Sequence, residues 1–505
     1  MHIGVNVRIG LIALMLLIAV GGASPLVTAQ TAPALELFYR AAGVDERAAN
    51  AALTELSRTW KNSYAAMIID LARLMRRAPP RPENDGLVSG FDDDTGDVRG
   101  GRGADNTTPV ATAPVRRESI IRSRLLRFLE KQTGQRYGED LNAWREWMWK
   151  LPFEPHPQYA EFKGAVYAQL DPRFRDFFQA RTRSLIRLDE IDWGGVTVNG
   201  IPPLYAPKLL TAADARYLRD GNIVFGVVVN GDARAYPKRV LAWHEMATDR
   251  IGGVDMTIVY CTLCGTVISY ESRVGDTLRR FGTSGLLYRS NKLMFDEETK
   301  SLWSTIEGKP VVGPLAGSDL QLVSHASVTT TWGEWRAEHP DTTVLSLETG
   351  HKRDYSEGAA YRDYFATDDL YFRVSHVDKR LKNKAEVLTL RVVSADGQVR
   401  AVAIAADFLR KHEVYQFEVG EWRFVVVTTA RGANRLYDRS ALSTSFDVKS
   451  LDGSHILDTR GKRWRVTEEA LVEESEPGLR LPRVSAQRAF WFGWVAQFPD
   501  TVLIK

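Results

Sequence analysis

Trp332-Gly-Glu-Trp335, followed by Pro340-Asp-Thr342, recurs at identical spacing as Trp491-Phe-Gly-Trp494, followed by Pro499-Asp-Thr501. Two such runs far apart in one chain predict two similar structural units. The similarity extends backwards, since Gly231-Asp-Ala-Arg234-Ala corresponds to Gly397-Gln-Val-Arg400-Ala. The tryptophans have helical spacing in both copies, which favours packing in a core over stacking on a sugar.

The segments around the repeat have the pattern of short strands. Ile223-Val-Phe-Gly-Val-Val-Val-Asn230 and Asp255-Met-Thr-Ile-Val-Tyr260 are examples, and Asn230-Gly231 is a strong hairpin signal. One helix is expected from about Lys238 to Ala247. The sequence therefore predicts an α+β protein, with a helical N-terminal module followed by a pseudo-duplicated, mainly antiparallel β domain.

The region before the repeat is predicted to be helical. Apolar residues recur at helical spacing over residues 35–75 and again over 121–148, and such paired helices resemble HEAT-like repeats. Gly134 suits the end of one helix and Asp140 the N-cap of the next. The intervening residues lack periodicity and contain Pro, Gly and an acidic run, which indicates a disordered linker.

The first residues have the features of a signal peptide. Arg8 precedes an apolar run over residues 9–20, and Val27-Thr28-Ala29 fits the small-x-small rule for cleavage after Ala29. We expect Sec-type export to the periplasm or beyond, and no membrane span in the mature chain. The predicted divisions are a signal peptide over 1–29, a helical module over 30–77 and 118–186 that is interrupted by a linker over 78–117, a first β-rich half over 187–350 and a second β-rich half over 351–505.

Charge and cysteine content limit the class of protein. The 66 Lys and Arg exceed the 63 Asp and Glu by only 3, too balanced a charge to indicate a nucleic-acid partner. Two cysteines in 505 residues cannot form a framework of several disulfides. The expected partner is an unidentified small molecule or envelope protein.

Those two cysteines lie in Tyr260-Cys-Thr-Leu-Cys-Gly265, and the second copy has Thr428-Thr-Ala-Arg-Gly432 at the corresponding place. A thiol-redox pair needs a helix N-terminus or a cation to stabilise a thiolate, whereas the residues after Cys264 have a strand pattern. A metal site needs further ligands, for which His244 and Met294 are available, and such a set suits copper, or else zinc or iron. The third interpretation is a plain structural disulfide.

Several motifs of the first copy resemble a bacterial family catalogued as domain of unknown function 3179. The resemblance covers about residues 201–390 and rests on these motifs: Arg234-Ala-Tyr-Pro237, Trp243-His-Glu245, Tyr260-Cys-Thr-Leu-Cys-Gly265, Gly282-Thr-Ser-Gly285, Met294-Phe-Asp296 and Thr299-Lys-Ser-Leu-Trp303. It implies a shared site without naming a substrate. Thr262 stands where family members commonly have proline.

The candidate site residues come from these motifs. Cys261, Cys264 and His244 are candidate catalytic residues, and these three with Met294 are candidate metal ligands. Candidate substrate-binding residues are Arg234, Glu245, Ser284, Asp296 and Ser301. Arg234 could instead form an ion pair with Asp249 or Glu245, while Asp296 and Ser301 could instead order the loop before Trp303.

Two functions remain open from the sequence. The first is an exported protein with a metal-binding or thiol-redox centre at Cys261 and Cys264. The second is a non-enzymatic envelope binding or scaffolding protein in which the cysteines form a structural disulfide. The sequence does not decide whether the protein is an enzyme.

Overall fold

The computed structural model of the chain describes residues 32–74, 91–92, 97–98, 113–395, 397–442, 445–450, 454–476 and 478–505. The predicted signal peptide and most of the predicted linker lie outside the described residues. Within the described ranges, no helix combines the length and the apolar character needed to cross a membrane.

Helices form the N-terminal region, as predicted. Asp45 and Asp140 each accept a hydrogen bond from a backbone N–H three residues on, and so cap the second and fifth helices. Gly134 ends the fourth helix with a φ of 74°. The helices are α1 (Leu35–Ala41), α2 (Glu46–Arg58), α3 (Ala65–Leu74), α4 (Ala113–Thr133), α5 (Leu141–Trp149), α6 (Tyr159–Tyr167) and α7 (Phe174–Phe177), with 3-10 turns at Asn62–Tyr64 and Leu188–Glu190. Two short strands, β1 (Phe91–Asp92) and β2 (Asp97–Val98), pair with each other.

The first half of the β region contains seventeen strands and two α-helices among the described residues. Its strands are β3 (Ile191–Trp193), β4 (Leu204–Tyr205), β5 (Leu209–Thr211), β6 (Ile223–Val229), β7 (Asp232–Pro237), β8 (Met246–Ile251), β9 (Val254–Cys261), β10 (Thr266–Glu271), β11 (Arg273–Val274), β12 (Thr277–Leu278), β13 (Phe281–Tyr288), β14 (Asn291–Asp296), β15 (Leu302–Ser304), β16 (Lys309–Val312), β17 (Ser324–His325), β18 (Ser327–Thr331) and β19 (Thr343–Leu345). Its helices are α8 (Lys238–His244) and α9 (Trp332–Glu338), and α10 (Arg362–Ala366) begins the second half. The predicted helix from Lys238 therefore exists but ends three residues early.

The second half continues the antiparallel pattern. Its elements are β20 (Glu386–Val393), β21 (Val399–Ala405), α11 (Ala406–Lys411), β22 (Val414–Val419), β23 (Trp422–Thr428), β24 (Asn434–Asp438), β25 (Phe446–Ser450), β26 (His455–Asp458), β27 (Arg463–Val466), β28 (Ala470–Glu473), β29 (Arg480–Pro482), β30 (Gln487–Phe490), α12 (Trp491–Val495) and β31 (Val502–Ile504). The fold is therefore α+β, as the sequence predicts.

The two copies of the repeat share a four-stranded sheet topology, to which the first copy adds the edge strand β5. The first copy has the strand order β18-β6-β7-β19-β5 and the second has β30-β20-β21-β31. In both copies a helix of the tryptophan motif precedes a strand that pairs in parallel with the second strand of a hairpin. These parallel pairs are β19 with β7 in the first copy and β31 with β21 in the second. A three-stranded meander follows that hairpin in each copy, β8-β9-β10 and then β22-β23-β24. The internal duplication inferred from the sequence is thus present in the fold.

The repeated tryptophans pack in the core, as their spacing predicts. Trp332, Trp335, Trp491 and Trp494 are all buried. A Cβ atom at Gly226 would lie 2.2 Å from the Trp335 ring, so this position in β6 accommodates only glycine. The helix of each motif is therefore pressed directly against its own sheet.

The N-terminal helices share one hydrophobic core with the sheet of order β16-β15-β14-β13-β3. Asp192, in β3, fixes this contact electrostatically, because it accepts hydrogen bonds of 2.6 Å from both Arg73 and Arg145. Burial alone would raise the pKa of Asp192, but Arg145 and Arg73 together hold it below its usual range. The helices thus belong to the packing of the β domain and do not stand apart from it.

Replacing Asp192 with Asn tests this contact. The variant leaves two buried guanidinium groups without a counter-ion, so its free energy of unfolding should fall by about 3–5 kcal/mol in a urea titration. The exposed Asp220, which pairs with Arg336 at the surface, is the matched control, and Asp220→Asn should cost less than about 1 kcal/mol. Equal effects of the two substitutions would contradict the buried contact.

The same contact predicts a dependence on pH. The pKa of Asp192 is lower in the folded than in the unfolded chain, so the unfolded chain binds its proton first on acidification. The stabilising contribution is complete at neutral pH and declines as the pH falls below about 4. Asp192→Asn should show a correspondingly smaller loss of stability in acid.

Candidate functional site

The Cys261–Cys264 segment is a tight turn between β9 and β10. The two cysteines form a disulfide, with their Cα atoms 5.4 Å apart. Cys261 is 4% exposed and Cys264 is fully buried. Gly265 completes the turn with a φ of 62°, a conformation that favours glycine. As expected from the sequence, the chain continues into a strand and not into a helix.

This turn packs against the second copy of the repeat. The Phe490 N–H donates a hydrogen bond of 2.7 Å to the carbonyl oxygen of Cys264. A Cβ atom at Gly493 would lie 3.1 Å from the Cβ atom of Cys264, so glycine permits the close approach of α12. The Tyr364 hydroxyl donates to the Leu263 carbonyl at 2.7 Å. The disulfide turn therefore lies at the junction of the two halves.

The sulfur of Cys264 also faces a backbone acceptor. It lies 3.3 Å from the carbonyl oxygen of Ser290, in the turn between β13 and β14. A carbonyl oxygen accepts a hydrogen bond from a thiol but repels a thiolate, because both carry negative charge. The surroundings of Cys264 thus favour its disulfide or neutral thiol form over a thiolate.

The corresponding turn of the second copy keeps its shape without cysteines. Gly432 has a φ of 86°, so it is left-handed like Gly265. Hydrogen bonds close this turn, with Thr429 N–H donating to the Ala433 carbonyl at 2.9 Å and Gly432 N–H to the Thr429 carbonyl at 2.8 Å. In the first copy the Gly265 N–H makes the equivalent bond to the Thr262 carbonyl, at 3.4 Å, and the disulfide is an additional link across the turn.

His244 has partners other than the cysteines. Its Nδ1 lies 2.8 Å from the carbonyl oxygen of Pro202, and its Nε2 lies 2.6 Å from the Tyr355 hydroxyl. Burial lowers the pKa of His244 to about 4, although the Pro202 carbonyl offsets some of this effect. The imidazole is therefore neutral at pH 7, with both nitrogens in hydrogen bonds.

Glu245, next in the chain, forms a buried ion pair with Lys292 of β14. Lys292 is 4% exposed, and its Nζ lies 3.0 Å from Glu245 Oε2. The Tyr361 hydroxyl lies 3.4 Å from the other carboxylate oxygen. Burial lowers the pKa of Lys292, which the carboxylate partly offsets, and raises that of Tyr361 well above its usual range.

This ion pair lies beside the disulfide turn. The Tyr260 N–H donates to the Glu245 carbonyl at 2.9 Å. Lys292 pairs with Leu287 across β13 and β14, and Leu287 packs in the same apolar cluster as both cysteines. Glu245 and Tyr361 also have positive φ values, 55° and 56°, which are strained for residues with a Cβ atom.

The other candidate residues have structural partners. Arg234 forms ion pairs with Asp249 and Asp232, the first of which the sequence offered as an alternative. The Ser284 hydroxyl donates to the Leu293 carbonyl and accepts from the Leu286 N–H, within a β-bulge of β13.

Asp296 and Ser301 lie in the loop before Trp303. Asp296 accepts hydrogen bonds from the Thr299 backbone and the Trp303 indole, both within 2.9 Å. Ser301 accepts from the Thr299 hydroxyl and from the Leu315 N–H. These bonds correspond to the alternative in which the two residues order this loop.

The structure does not bring the predicted metal ligands together. Met294 packs in a core cluster with Met246 and Trp303, and the cysteines belong to a different cluster. Among the described residues, the one compact group of three His, Cys, Asp or Glu side chains is Glu338, His339 and Glu468. The Arg435 guanidinium forms ion pairs with both carboxylates, so this group already has a cationic partner.

Sequence reasoning missed Lys292, Tyr355 and Tyr361. Lys292 had a detectable signal, because a lysine between Asn291 and the apolar run Leu293-Met-Phe295 is unusual in a strand that is buried throughout. The two tyrosines follow the last family motif of the first copy, more than 90 residues from Cys261, and only the folded chain brings them to the site.

Replacing Lys292 with Met tests the buried ion pair. The variant leaves the Glu245 carboxylate buried and unpaired, so the free energy of unfolding should fall by about 3–5 kcal/mol. Lys292→Met combined with Glu245→Gln removes that charge and should recover most of the loss in urea titrations. Lys208→Met, which breaks an exposed pair with Glu348, is the control and should cost under about 1 kcal/mol. A double variant less stable than Lys292→Met alone would contradict the pairing.

Comparison with known proteins identifies one relationship. No curated protein and no solved structure matches the chain. The model of the family described as "Protein of unknown function (DUF3179)" matches residues 198–501, which include both copies of the repeat. The match covers more than half of the chain and contains the disulfide turn, the Glu245–Lys292 pair and the two tryptophan motifs. This chain is therefore a member of the DUF3179 family.

Proposed function

We propose that this protein is an exported, non-enzymatic binding or scaffolding protein of the cell envelope, in which the Cys261–Cys264 disulfide is structural. One observation carries the proposal: the turn that bears the disulfide is buried against the second copy of the repeat, through the contacts of Cys264 with Phe490 and Gly493. A bond in this position stabilises the junction of the two halves.

The second copy supports a structural role. Its turn after β23 has the same left-handed glycine and the equivalent backbone hydrogen bond, and it forms without cysteines. A similar turn therefore forms with or without cysteines, which is the pattern expected when the disulfide reinforces a turn that the backbone already makes.

The surroundings of the sulfurs argue against a reactive thiolate. A strand follows Cys264, so the turn has no helix N-terminus to stabilise negative charge. The Lys292 ammonium is paired with Glu245, and the Ser290 carbonyl faces the Cys264 sulfur. The same disulfide also leaves the sulfurs unable to act as thiolate ligands, which weakens the proposal of a cysteine-bound copper, zinc or iron.

Export to the periplasm is consistent with a structural disulfide. A disulfide persists in an oxidising compartment such as the periplasm, and the predicted signal peptide provides the route there. The unidentified partner would be a small molecule or another envelope protein.

A thiol-redox centre is the second candidate, favoured by one contact. The Ser290 carbonyl stands 3.3 Å from the Cys264 sulfur, where it would accept a hydrogen bond from a thiol after reduction. The site could therefore accommodate a dithiol form as well as the disulfide.

Replacing both cysteines with Ser distinguishes the two functions. A structural disulfide closing so short a loop should contribute about 2 kcal/mol, so the double variant should be less stable than the oxidised protein by that amount. Wild-type protein refolded in excess reductant is the matched control and should show the same loss in urea titrations. Native protein should also resist mild dithiothreitol. Rapid reduction of the native protein with unchanged stability would overturn the structural role and support the redox one.

A further inference from the structure

His244 is fully buried, and both of its hydrogen-bond partners lie close in sequence to the lining of a surface cleft. The cleft has a volume of about 370 Å³ and is lined by residues 203–208 and 348–351. Pro202, which precedes the first lining segment, accepts the hydrogen bond from the His244 ring. Tyr355, which follows the second lining segment in the sequence, contacts both His244 and Thr349.

The hydrogen bond to Pro202 fixes the tautomer of His244. A carbonyl oxygen can only accept, so Nδ1 carries the ring proton and Nε2 presents a lone pair. An imidazole that donates one N–H to a backbone carbonyl and keeps its other nitrogen as an acceptor has the arrangement found in metal-binding histidines. The lone pair of Nε2 is directed at the Tyr355 hydroxyl, 2.6 Å away.

His351 supplies a second imidazole. Its ring centroid lies 5.3 Å from that of His244, and the two ring planes are inclined by 50°. Two imidazole nitrogens bound to one tetrahedral ion lie about 2.0–2.1 Å from it, which sets their ring centroids about 5 Å apart. The His351 backbone is held by its N–H donating to the Thr349 hydroxyl at 3.2 Å. Its ring has no hydrogen-bond partner among the residues that the structure describes.

Tyr355 supplies an oxygen to the same place. Its hydroxyl lies 2.6 Å from His244 Nε2 and 2.6 Å from the Thr349 hydroxyl. Because Nε2 can only accept, Tyr355 donates to His244, and Thr349 then donates to the Tyr355 oxygen. An ion bound at Nε2 would displace the Tyr355 hydroxyl proton from this series of hydrogen bonds, and the proton would pass to solvent.

The charges around the cleft are balanced. Lys208 and Glu348, both in the lining, form an exposed ion pair at 2.5 Å. The positive charge of Arg353 acts on His244 and disfavours binding of a cation there. A phenolate at Tyr355 and the Glu348 carboxylate are negative and favour cation binding. A bound ion therefore depends on strong directional bonds to nitrogen, which first-row transition ions form and Mg²⁺ or Ca²⁺ do not.

We propose that His244, His351 and the Tyr355 hydroxyl form a binding site for a single first-row transition ion, zinc or copper, at the inner end of this cleft. The site is separate from the cysteines and does not depend on the role of their disulfide. His351, which lines the cleft and is exposed, provides the solvent-facing side of the site. The protein then binds metal through a histidine pair drawn from two segments about 100 residues apart.

Metal titration of the untagged full-length protein tests this site. After dialysis against a chelator, the protein should bind close to one equivalent of Zn²⁺ or Cu²⁺ by calorimetry and elemental analysis. His351→Ala, which changes an exposed loop residue and should leave the fold intact, should weaken binding at least tenfold. His412→Ala removes an exposed histidine of the second copy and is the matched control, with binding unchanged.

Two further variants keep the result interpretable. Tyr355→Phe should weaken binding while circular dichroism shows a native fold, and the double cysteine-to-serine variant should bind the ion as the wild type does. The electron paramagnetic resonance spectrum of the Cu²⁺ form should show nitrogen ligands, with fewer in His351→Ala. Absence of binding to the wild type, undiminished binding to His351→Ala, or loss of binding in the cysteine variant would each overturn the proposal, and the last would instead restore the cysteines as ligands.

Discussion

The contact between Cys264 and the backbone of Gly493 determines how the two copies of the repeat pack together. Any side chain at position 493 would place its Cβ atom 3.1 Å from that of Cys264. The carbonyl of Gly493 accepts a hydrogen bond from Asn291, and the N–H of Phe490 donates to Cys264. The disulfide turn, the β13–β14 hairpin and helix α12 therefore form one cluster. Moving any one of the three displaces the others.

This cluster also sets the position of the strained residues around it. Strand β9 enters the disulfide turn, and its Tyr260 holds the backbone of Glu245, whose carboxylate meets Lys292. Glu245 adopts a left-handed conformation at the end of α8, and the preceding His244 bonds to Pro202 and Tyr355. Glu245 thus contributes to the junction of the two copies, and the adjacent His244 contributes to the group of residues beside the surface cleft.

The features of the fold that depend on local pattern were predictable. The Asn230-Gly231 hairpin, the cap at Asp140 and the duplicated tryptophan motifs follow from short-range rules, and the structure confirms them. The candidate site was less predictable, because its members meet through long-range contacts. Lys292 and Tyr361 reach Glu245 from distant segments, and His244 bonds to Pro202 and Tyr355 and not to the cysteines. Polar residues in motifs, such as Ser284 and Asp296, hold loops and bulges that sequence alone does not distinguish from ligand-binding positions.

Hydrogen exchange in oxidised and reduced wild-type protein tests most directly whether the disulfide fixes the junction of the two copies. Reduction should speed exchange in residues 259–266 and, together with them, in residues 487–496, because the Phe490 amide is bonded to Cys264. Residues 428–434, where hydrogen bonds close the equivalent turn, should exchange at the same rate in both forms. Faster exchange limited to residues 259–266, with residues 487–496 unaffected, would contradict the account.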